Sequence, residues 1–263
     1  HKLKNTVKIT SGSTPMVAKA INQLYRLIVQ AGTHSADSIR TAECAKVIEN
    51  VQRDINIALI NEFSILFSKL GLNTESVLQA AETKWNFMSF RPGLVGGHCI
   101  GVDPYYLLYA AENVGCHTNI ITAGRKLNDE MPEYVVSRLD TEMLSKGRSL
   151  TNAKILILGF AFKENCPDIR NSKVYDICKA LYEKKAYFDV YDPFINRIET
   201  QEYYGIELID KPQMSYYDAI IIAVKHDIFK NLNEKALRAF GNKGCLIFDL
   251  KFMLNKKESD LRL

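Results

Sequence analysis

Residues 154–160 read KILILGF, the first of four short apolar runs in the second half of the chain. The others are AYFDVYD at 186–192, DAIIIAV at 218–224 and GCLIFDL at 244–250, with a helical pattern at 174–184. Short apolar runs that alternate with helices predict parallel strands joined by right-handed crossovers. Residues 151–263 are therefore predicted to form a Rossmann-like parallel α/β domain.

The first half of the chain has a helical period instead. Apolar residues recur at intervals of three and four over residues 41–70, which predicts one long amphipathic helix. Thr41 and Glu43 suit the start of this helix, and Gly71 suits the position after its last turn.

A shorter helix is predicted over residues 72–84, capped at Thr74. From Ser13 to about residue 150 we expect helical structure, so residues 1–150 are predicted to form a helical central domain. A polar segment at 146–152 is the predicted linker to the second domain.

Composition narrows the class of protein. The 34 basic and 30 acidic residues are mixed along the chain without a basic block, which argues against nucleic acid and favours small anionic ligands. No apolar stretch approaches the roughly 20 residues of a membrane helix.

Six cysteines lack CxxC or metal-ligand spacing, so we expect a reduced, cytoplasmic protein without a metal site. The opening HKLKNTVKIT has no initiator Met or signal core, and we expect it to be cut from a longer chain.

Residues 90–103 read FRPGLVGGHCIGVD, whose four glycines and one proline predict an ordered loop. Glycines beside Cys99 let ligand and backbone approach closely, which favours a nucleophile over the more usual small buried cysteine. Asp103 could act as a base for water or hold the loop by accepting backbone hydrogen bonds. His98 is a poor partner for a Cys–His dyad, because adjacent side chains in an extended segment diverge.

Two further pairs of residues could assist, one at the reaction centre and one in phosphate binding. Lys46 and Asn50 lie one helical turn apart and could together stabilise an oxyanion, although Lys46 could equally be a solvated surface lysine. After the first strand of the second half, Lys163 and Arg170 place two cations where a Rossmann-like fold binds phosphate, or they are simply surface charges. Asp192 is either a ribose-binding acid or part of an Asp-Pro turn.

Four segments carry a family resemblance. They are AECAKVIENVQRDINIALINE at 42–62, TKWNF at 83–87, FRPGLVGGHCIGVDPYYL at 90–107 and GFAFKENCPDIRNSKV at 159–174. With these segments the chain resembles the UDP-glucose/GDP-mannose dehydrogenase family, and in particular the branch that oxidises UDP-N-acetylhexosamines. The resemblance implies a helical central domain followed by a UDP-binding domain. The helix at 41–70 is long and would expose much of its apolar stripe in a monomer, so we expect a homodimer formed through this helix and a dimerisation role for the central domain.

The resemblance also implies a chemistry: NAD-dependent, four-electron oxidation of the sugar C6 alcohol to a carboxylate, for bacterial surface polysaccharide precursors. Cys99 matches the cysteine that forms a thiohemiacetal and a thioester, and Asp103 matches the aspartate that assists thioester hydrolysis. Lys46 and Asn50 match the oxyanion-stabilising pair. Lys163 matches the substrate-binding lysine and Arg170 an arginine near the cofactor. The segment implied to wrap the nucleotide sugar comprises Phe90, Arg91, Pro92, Gly93, Leu94, Val95 and Gly96.

The chain departs from the family pattern in two places. Family members begin with a dinucleotide-binding domain that carries a GxGxxG loop, which we do not find here, so we expect the fragment alone to be inactive. Thr83 occupies the position of a cross-subunit arginine, which leaves Lys84 or Arg91 to replace it at the substrate.

Two alternatives remain open at this point. The chain could be a UDP-sugar-binding and dimerisation module without catalysis, which reactivity of Cys99 would distinguish. It could also be a cysteine hydrolase, but this class needs a well-placed base and His98 does not provide one. The choice among the gluco, galacto and manno epimers depends on pocket geometry and is left open by the sequence.

Overall fold

The computed structural model describes residues 3–263, which form two compact units, one ending at Arg53 and the other beginning at Asp54. The first unit contains strand β1 (Lys8–Thr10), helix α1 (Pro15–Ile28) and strand β2 (Thr33–Ser35), and the two strands pair in parallel. The prediction of helical structure alone from Ser13 onward was wrong at β2. A strand of three residues is too short to show an alternating pattern.

Helix α2 covers Ile39–Lys69, which confirms the long helix predicted over residues 41–70. It is terminated at Gly71, whose φ of 70° is in the left-handed region. The Leu72 amide donates to the Phe67 carbonyl and the Gly71 amide to the Ser68 carbonyl. These two hydrogen bonds form a Schellman motif that satisfies the last carbonyls of the helix.

The shorter helix, α3, covers Thr74–Ala81 and ends before the predicted limit at residue 84. Its cap was wrongly predicted at Thr74. Asn73 caps the helix, because its Oδ1 accepts a hydrogen bond from the Ser76 amide at 2.9 Å. Helices α4 (Asp103–Glu112) and α5 (Asn119–Ser145) follow the glycine-rich loop. Between residues 3 and 263 no helix is both long and apolar enough to cross a membrane.

The second half forms the parallel sheet that the sequence predicted. Its strands are β3 (Lys154–Leu158), β4 (Tyr187–Tyr191), β5 (Tyr217–Ile222), β6 (Gly241–Asp249) and β7 (Leu261–Arg262). They lie in the order β4-β3-β5-β6-β7, and every neighbouring pair is parallel. Strands β3 and β5 are buried on both faces, which explains why their sequences are continuously apolar.

Helix α6 (Lys173–Glu183) connects β3 to β4, as the sequence predicted. Helices α7 (Arg197–Tyr204), α8 (Asp227–Lys230) and α9 (Glu234–Phe240) and strand β7 were not predicted. The three helices have eight residues or fewer and the strand has two, so none of these elements is long enough to show a clear apolar period.

The main core spans the predicted domain linker. Val135 and Leu139 of α5 pack in the same buried cluster as Ile155 of β3 and Ile177 of α6. Leu150, within the segment 146–152, is also fully buried in this cluster. Helix α5 therefore shares one core with the sheet, and the domain limits 1–150 and 151–263 stay a prediction.

Candidate active site

Cys99 lies in the turn that leads from the glycine-rich loop into α4, and it is exposed. The Cys99 carbonyl accepts hydrogen bonds from the amides of Val102 at 3.1 Å and Asp103 at 2.8 Å, so the turn is closed by its own backbone. Asp103 is the first residue of α4, where the helix dipole favours a carboxylate. By contrast, burial raises the pKa of Cys178, and it raises the pKa of Cys245 to about 12. Those two thiols are therefore poor nucleophiles.

The glycine-rich loop packs against the turn that follows β3. A Cβ atom on Gly97 would lie 2.8 Å from the Phe162 ring, and one on Gly96 would lie 2.5 Å from the Asn171 carbonyl oxygen. The Gly97 amide donates to that same carbonyl at 3.2 Å. Only glycine permits this approach, so the two glycines join the loop of the predicted nucleophile to the predicted diphosphate-binding turn.

Asn61 of α2 holds the same loop at Gly93. Its side-chain Nδ2 donates to the Gly93 carbonyl at 3.0 Å, and its Oδ1 accepts from the Gly93 amide at 2.8 Å. The Asn61 side chain is fully buried. Because an unpaired buried backbone group is costly, this pair of hydrogen bonds fixes the path of the loop at that point.

The Asn61 contact is one end of a buried polar network. Asn128 accepts from Asn61 at 2.8 Å and donates to Asp54 at 2.8 Å. Arg125 forms ion pairs with Asp54 and, at 3.0 Å, with Asp129. Burial lowers the pKa of Arg125, but the hydrogen bonds that Arg125 donates to Asp129 and the charge of Asp54 outweigh burial and raise the pKa. The guanidinium is therefore charged within the network.

This network was not predicted. Asp54 and Asn61 are seven residues apart, so both project from the same face of α2 as the apolar stripe. The sequence signal that could have revealed this network is the occurrence of polar residues at helical spacing inside an apolar stripe. On α4, Tyr105 extends the network by donating to Asp129 at 2.5 Å, two residues beyond Asp103.

Lys163 is exposed in the turn after β3, and its Nζ lies 5.1 Å from the centre of the Phe162 ring. Asp192, which follows β4, is buried beneath this turn and accepts hydrogen bonds from the amides of Phe160 at 2.7 Å and Ala161 at 2.9 Å. Burial raises the pKa of Asp192, but its hydrogen bonds outweigh burial and lower it. The carboxylate is occupied by the protein backbone, which favours the turn interpretation over a ribose-binding acid.

Arg170 is paired rather than free. Its Nη2 lies 2.6 Å from Asp168 Oδ2, and its Nε donates to Oδ1 at 3.0 Å. The hydrogen bond from Arg170 lowers the pKa of Asp168 to about 2. His98 Nδ1 lies 4.0 Å from the same carboxylate, and its ring meets the edge of the Phe162 ring. The cofactor role of Arg170 stays a prediction.

The two residues expected to replace the cross-subunit arginine differ in their surroundings. Arg91 forms ion pairs with Glu82 at 2.6 Å and with Glu75 at 2.9 Å. Lys84 is exposed beside Trp85, which is 97% exposed. Lys84 is therefore the better placed of the two to reach another molecule. Its role in substrate binding stays a prediction.

The seven residues predicted to wrap the nucleotide sugar are not equally accessible. Pro92, Gly93 and Val95 are buried, whereas the other four, Phe90, Arg91, Leu94 and Gly96, are partly exposed. The accessible part of the segment therefore lies at its two ends and at Leu94.

Lys46 and Asn50 belong to the first unit, on α2. Lys46 Nζ lies 2.8 Å from Glu49 Oε2, and its side chain is 60% exposed, which fits the surface-lysine alternative. Asn50 is buried. Their catalytic roles stay predictions.

Comparisons with known proteins identify the domains of this chain. Residues 40–130 match the central domain of the UDP-glucose/GDP-mannose dehydrogenase family, and residues 156–256 match the UDP-binding domain of the same family. The chain is 52% identical to the UDP-N-acetyl-D-glucosamine 6-dehydrogenase of Pseudomonas aeruginosa, over 100% of this chain and 62% of that protein. It is 43% identical to protein CapL of Staphylococcus aureus, over 98% of this chain and 61% of that protein.

Among solved structures, the UDP-D-ManNAc dehydrogenase of Pyrococcus horikoshii superposes with a TM-score of 0.83 at 27% identity, over 97% of this chain and 58% of that one. The two domain matches define a protein with a dehydrogenase central domain and a UDP-binding domain. The chain belongs to the UDP-glucose/GDP-mannose dehydrogenase family. It spans about three-fifths of the length of the relatives described.

Proposed function

We propose that the whole protein to which this chain belongs oxidises the C6 alcohol of a UDP-N-acetylhexosamine to the carboxylate, with Cys99 as the covalent nucleophile. The observation that carries this proposal is the packing of the Cys99 loop on the turn that bears Lys163. An exposed thiol and a cation suited to a diphosphate thereby belong to two segments in direct contact.

The substrate epimer is proposed from the relatives. Those of Pseudomonas aeruginosa and Salmonella typhi, at 52% and 50% identity, are named for UDP-N-acetyl-D-glucosamine. We therefore take the gluco epimer as the first substrate to test. Six free cysteines suit the reducing cytoplasm as the place of action.

Oxidation of an alcohol to a carboxylate releases two hydrides, and NAD+ is the acceptor that the family implies. The turn after β3 does not fit a dinucleotide, because it reads GFAFK instead of a GxGxxG sequence and Asp192 is occupied by backbone amides. We therefore place the dinucleotide outside this turn, and the side chains of this chain act on the sugar.

Cys99 acts after the alcohol has been oxidised to the aldehyde. Its thiolate attacks C6, so that a C–S bond forms and the carbonyl electron pair moves to oxygen. Once this adduct is oxidised to a thioester, water attacks the acyl carbon, the C–S bond breaks and the thiolate leaves. Asp103 accepts the proton of the attacking water, while Lys46 and Asn50 stabilise the oxyanions. The residues that bind the substrate are Lys163, Lys84 and the segment 90–96.

The proposal includes a homodimer formed through α2. In the second unit Leu59, Phe63, Leu66 and Leu70 recur at intervals of four, three and four, and each is between 37% and 61% exposed. This is an apolar helix face that a monomer would leave in water, and a second copy of the same helix could cover it. Sedimentation should show a dimer at micromolar concentration, and Phe63→Glu should shift it to monomer.

Thiol labelling of the whole protein tests the assignment of Cys99. A thiolate-selective reagent at neutral pH should modify Cys99 much faster than the buried Cys178, and UDP-N-acetyl-D-glucosamine should slow that reaction. Cys116 is also exposed and serves as the control that the nucleotide sugar should not protect. Protection of Cys99 without any acid formation would instead support a binding and dimerisation module.

A further inference from the structure

A buried Asp–His pair connects three adjacent strands at the edge of the sheet where Lys163 lies. Asp192 follows β4 directly, the turn that bears Lys163 follows β3, and His226 comes four residues after β5. These three strands are neighbours in the order β4-β3-β5, and the turn after β3 is a separate segment from the glycine-rich loop at 90–103. The Asp192–His226 pair therefore passes beneath the turn that begins at Gly159, and both side chains are 0% exposed.

The hydrogen bonds fix the tautomer of His226. The Asn165 amide donates to His226 Nδ1 at 2.9 Å, so this nitrogen must be unprotonated. The ring proton then resides on Nε2, which donates to Asp192 Oδ2 at 3.0 Å. The neutral imidazole thus links the Asn165 backbone to the Asp192 carboxylate.

Together the pair holds both ends of a short segment. Asp192 accepts the amides of Phe160 and Ala161, and His226 accepts the amide of Asn165. Lys163 lies between these anchored positions and is itself exposed. The anchoring contacts are backbone contacts, so they set the path of the turn without depending on the side chain of Lys163.

The His226 ring is also held in place. It stacks on Phe194 with ring centroids 4.6 Å apart and meets the edge of Phe229 at 5.4 Å. The Asn165 side chain in turn donates to the Asp227 carboxylate at 2.7 Å and accepts from the Asp227 amide at 2.9 Å. The anchored end of the turn is therefore fixed from two sides.

We propose that His226, through Asp192 and the Asn165 amide, is a positioning residue that presents Lys163 to the diphosphate of the nucleotide sugar. This proposal rests on the proposed function, in which Lys163 binds the diphosphate. It assigns a role in binding to a buried residue that does not touch the ligand.

Two substitutions at His226 each remove one of its two hydrogen bonds and keep the other. His226→Gln can still donate to Asp192 but leaves the Asn165 amide without its acceptor. His226→Asn can still accept from Asn165 but does not reach Asp192. Leu237→Ala is the control for stability alone, because Leu237 is buried in α9 within the second core cluster and belongs neither to the turn after β3 nor to the Asp192–His226 pair.

The test is a double-mutant cycle on UDP affinity in the whole protein, measured by calorimetry. His226→Gln should weaken UDP binding by about tenfold, the order expected for a hydrogen bond that holds a ligand-binding cation. In a Lys163→Ala background the same change should have almost no further effect, while Leu237→Ala should leave UDP affinity unchanged. Full additivity of the two substitutions would overturn the proposal.

Hydrogen exchange keeps this inference separate from the proposed function, since it needs no ligand. His226→Gln should accelerate exchange of the amides at 162–165 by about tenfold or more while leaving β6 protected, because local opening is controlled by the local contacts. If the protein does not bind UDP, the proposed function fails and this exchange result decides the positioning role. Unchanged exchange at 162–165 would overturn it.

Discussion

The two segments predicted to carry the chemistry are held in different ways. The loop at 90–103 is fixed by Asn61 at Gly93, six residues before Cys99, and beyond that point mainly by its glycine contacts and its own turn into α4. The turn after β3 is fixed on both sides of Lys163, by Asp192 and by His226. A phosphate-binding cation benefits from a fixed position, which the two anchors of its turn supply. The position of Cys99 depends instead on the close backbone packing at Gly96 and Gly97 and on the turn closed by its own carbonyl.

The largest effect on stability should come from breaking the network behind the Cys99 loop. Arg125→Met leaves Asp54 as a buried charge without its cation, so we expect a loss of about 3–5 kcal/mol in the free energy of unfolding. Lys126→Met, at the next position, removes only an exposed ion pair with Glu130 and should change stability by less than about 0.5 kcal/mol. Chemical denaturation measures both. Equal, small losses would show that the network does not stabilise the fold.

Asn61→Ala should have the next largest effect. It removes both hydrogen bonds to Gly93 and leaves two buried backbone groups unpaired, so we expect a loss of about 2–3 kcal/mol. Hydrogen exchange should accelerate in the loop at 90–103 and stay unchanged in the turn after β3. Glu62→Ala, exposed at the next position, is the control. Equal acceleration in both segments would contradict separate anchoring.

Lys163→Ala should weaken UDP binding by about 1.5–3 kcal/mol, the range for losing a hydrogen bond to a charged group. This expectation follows from the proposed role of Lys163, in which its side chain contacts the diphosphate. Stability should hardly change, because the side chain is exposed. Lys179→Ala removes another exposed lysine, on α6, and should leave UDP affinity unchanged. Calorimetry gives both values, and equal affinities for the two variants would remove Lys163 from the site.

The smallest effect concerns Asp168 and pH. Because its pKa is lowered to about 2, this carboxylate stabilises the fold above its unfolded pKa of ~3.9, and the contribution is lost as pH falls through about 2. Arg170→Ala should raise the pKa of Asp168 towards its ordinary value and make the fold slightly more sensitive to acid. Carboxyl NMR titration follows this directly. A pKa still near 2 in the variant would mean that Arg170 is not its cause.

Sequence periodicity was sufficient to predict much of the fold. Strands β3 to β6 and helices α2 and α6 were predicted because their apolar residues repeat over several turns or through buried strands. The short β2 was missed because three residues show no period. Asn73 was overlooked as the cap of α3 because Thr74, beside it, also suits a helix start.

The anchors of the site were harder to predict, because they join residues far apart in sequence. Asn61 contacts Gly93 at a separation of 32 residues, and Asp192 contacts His226 at a separation of 34. No local pattern contains either pair. The pairing of Arg170 with Asp168 is different, since the residues are two apart and opposite in charge, and sequence reasoning could have considered it.

The most direct test of the account is the rate of uronate formation by the whole protein with Cys99→Ala. The account predicts a loss of about a thousandfold or more, because no covalent adduct can form for the second oxidation. Cys116→Ala, which removes another exposed thiol, should retain normal activity. Near-normal formation of the acid by Cys99→Ala would contradict the covalent mechanism.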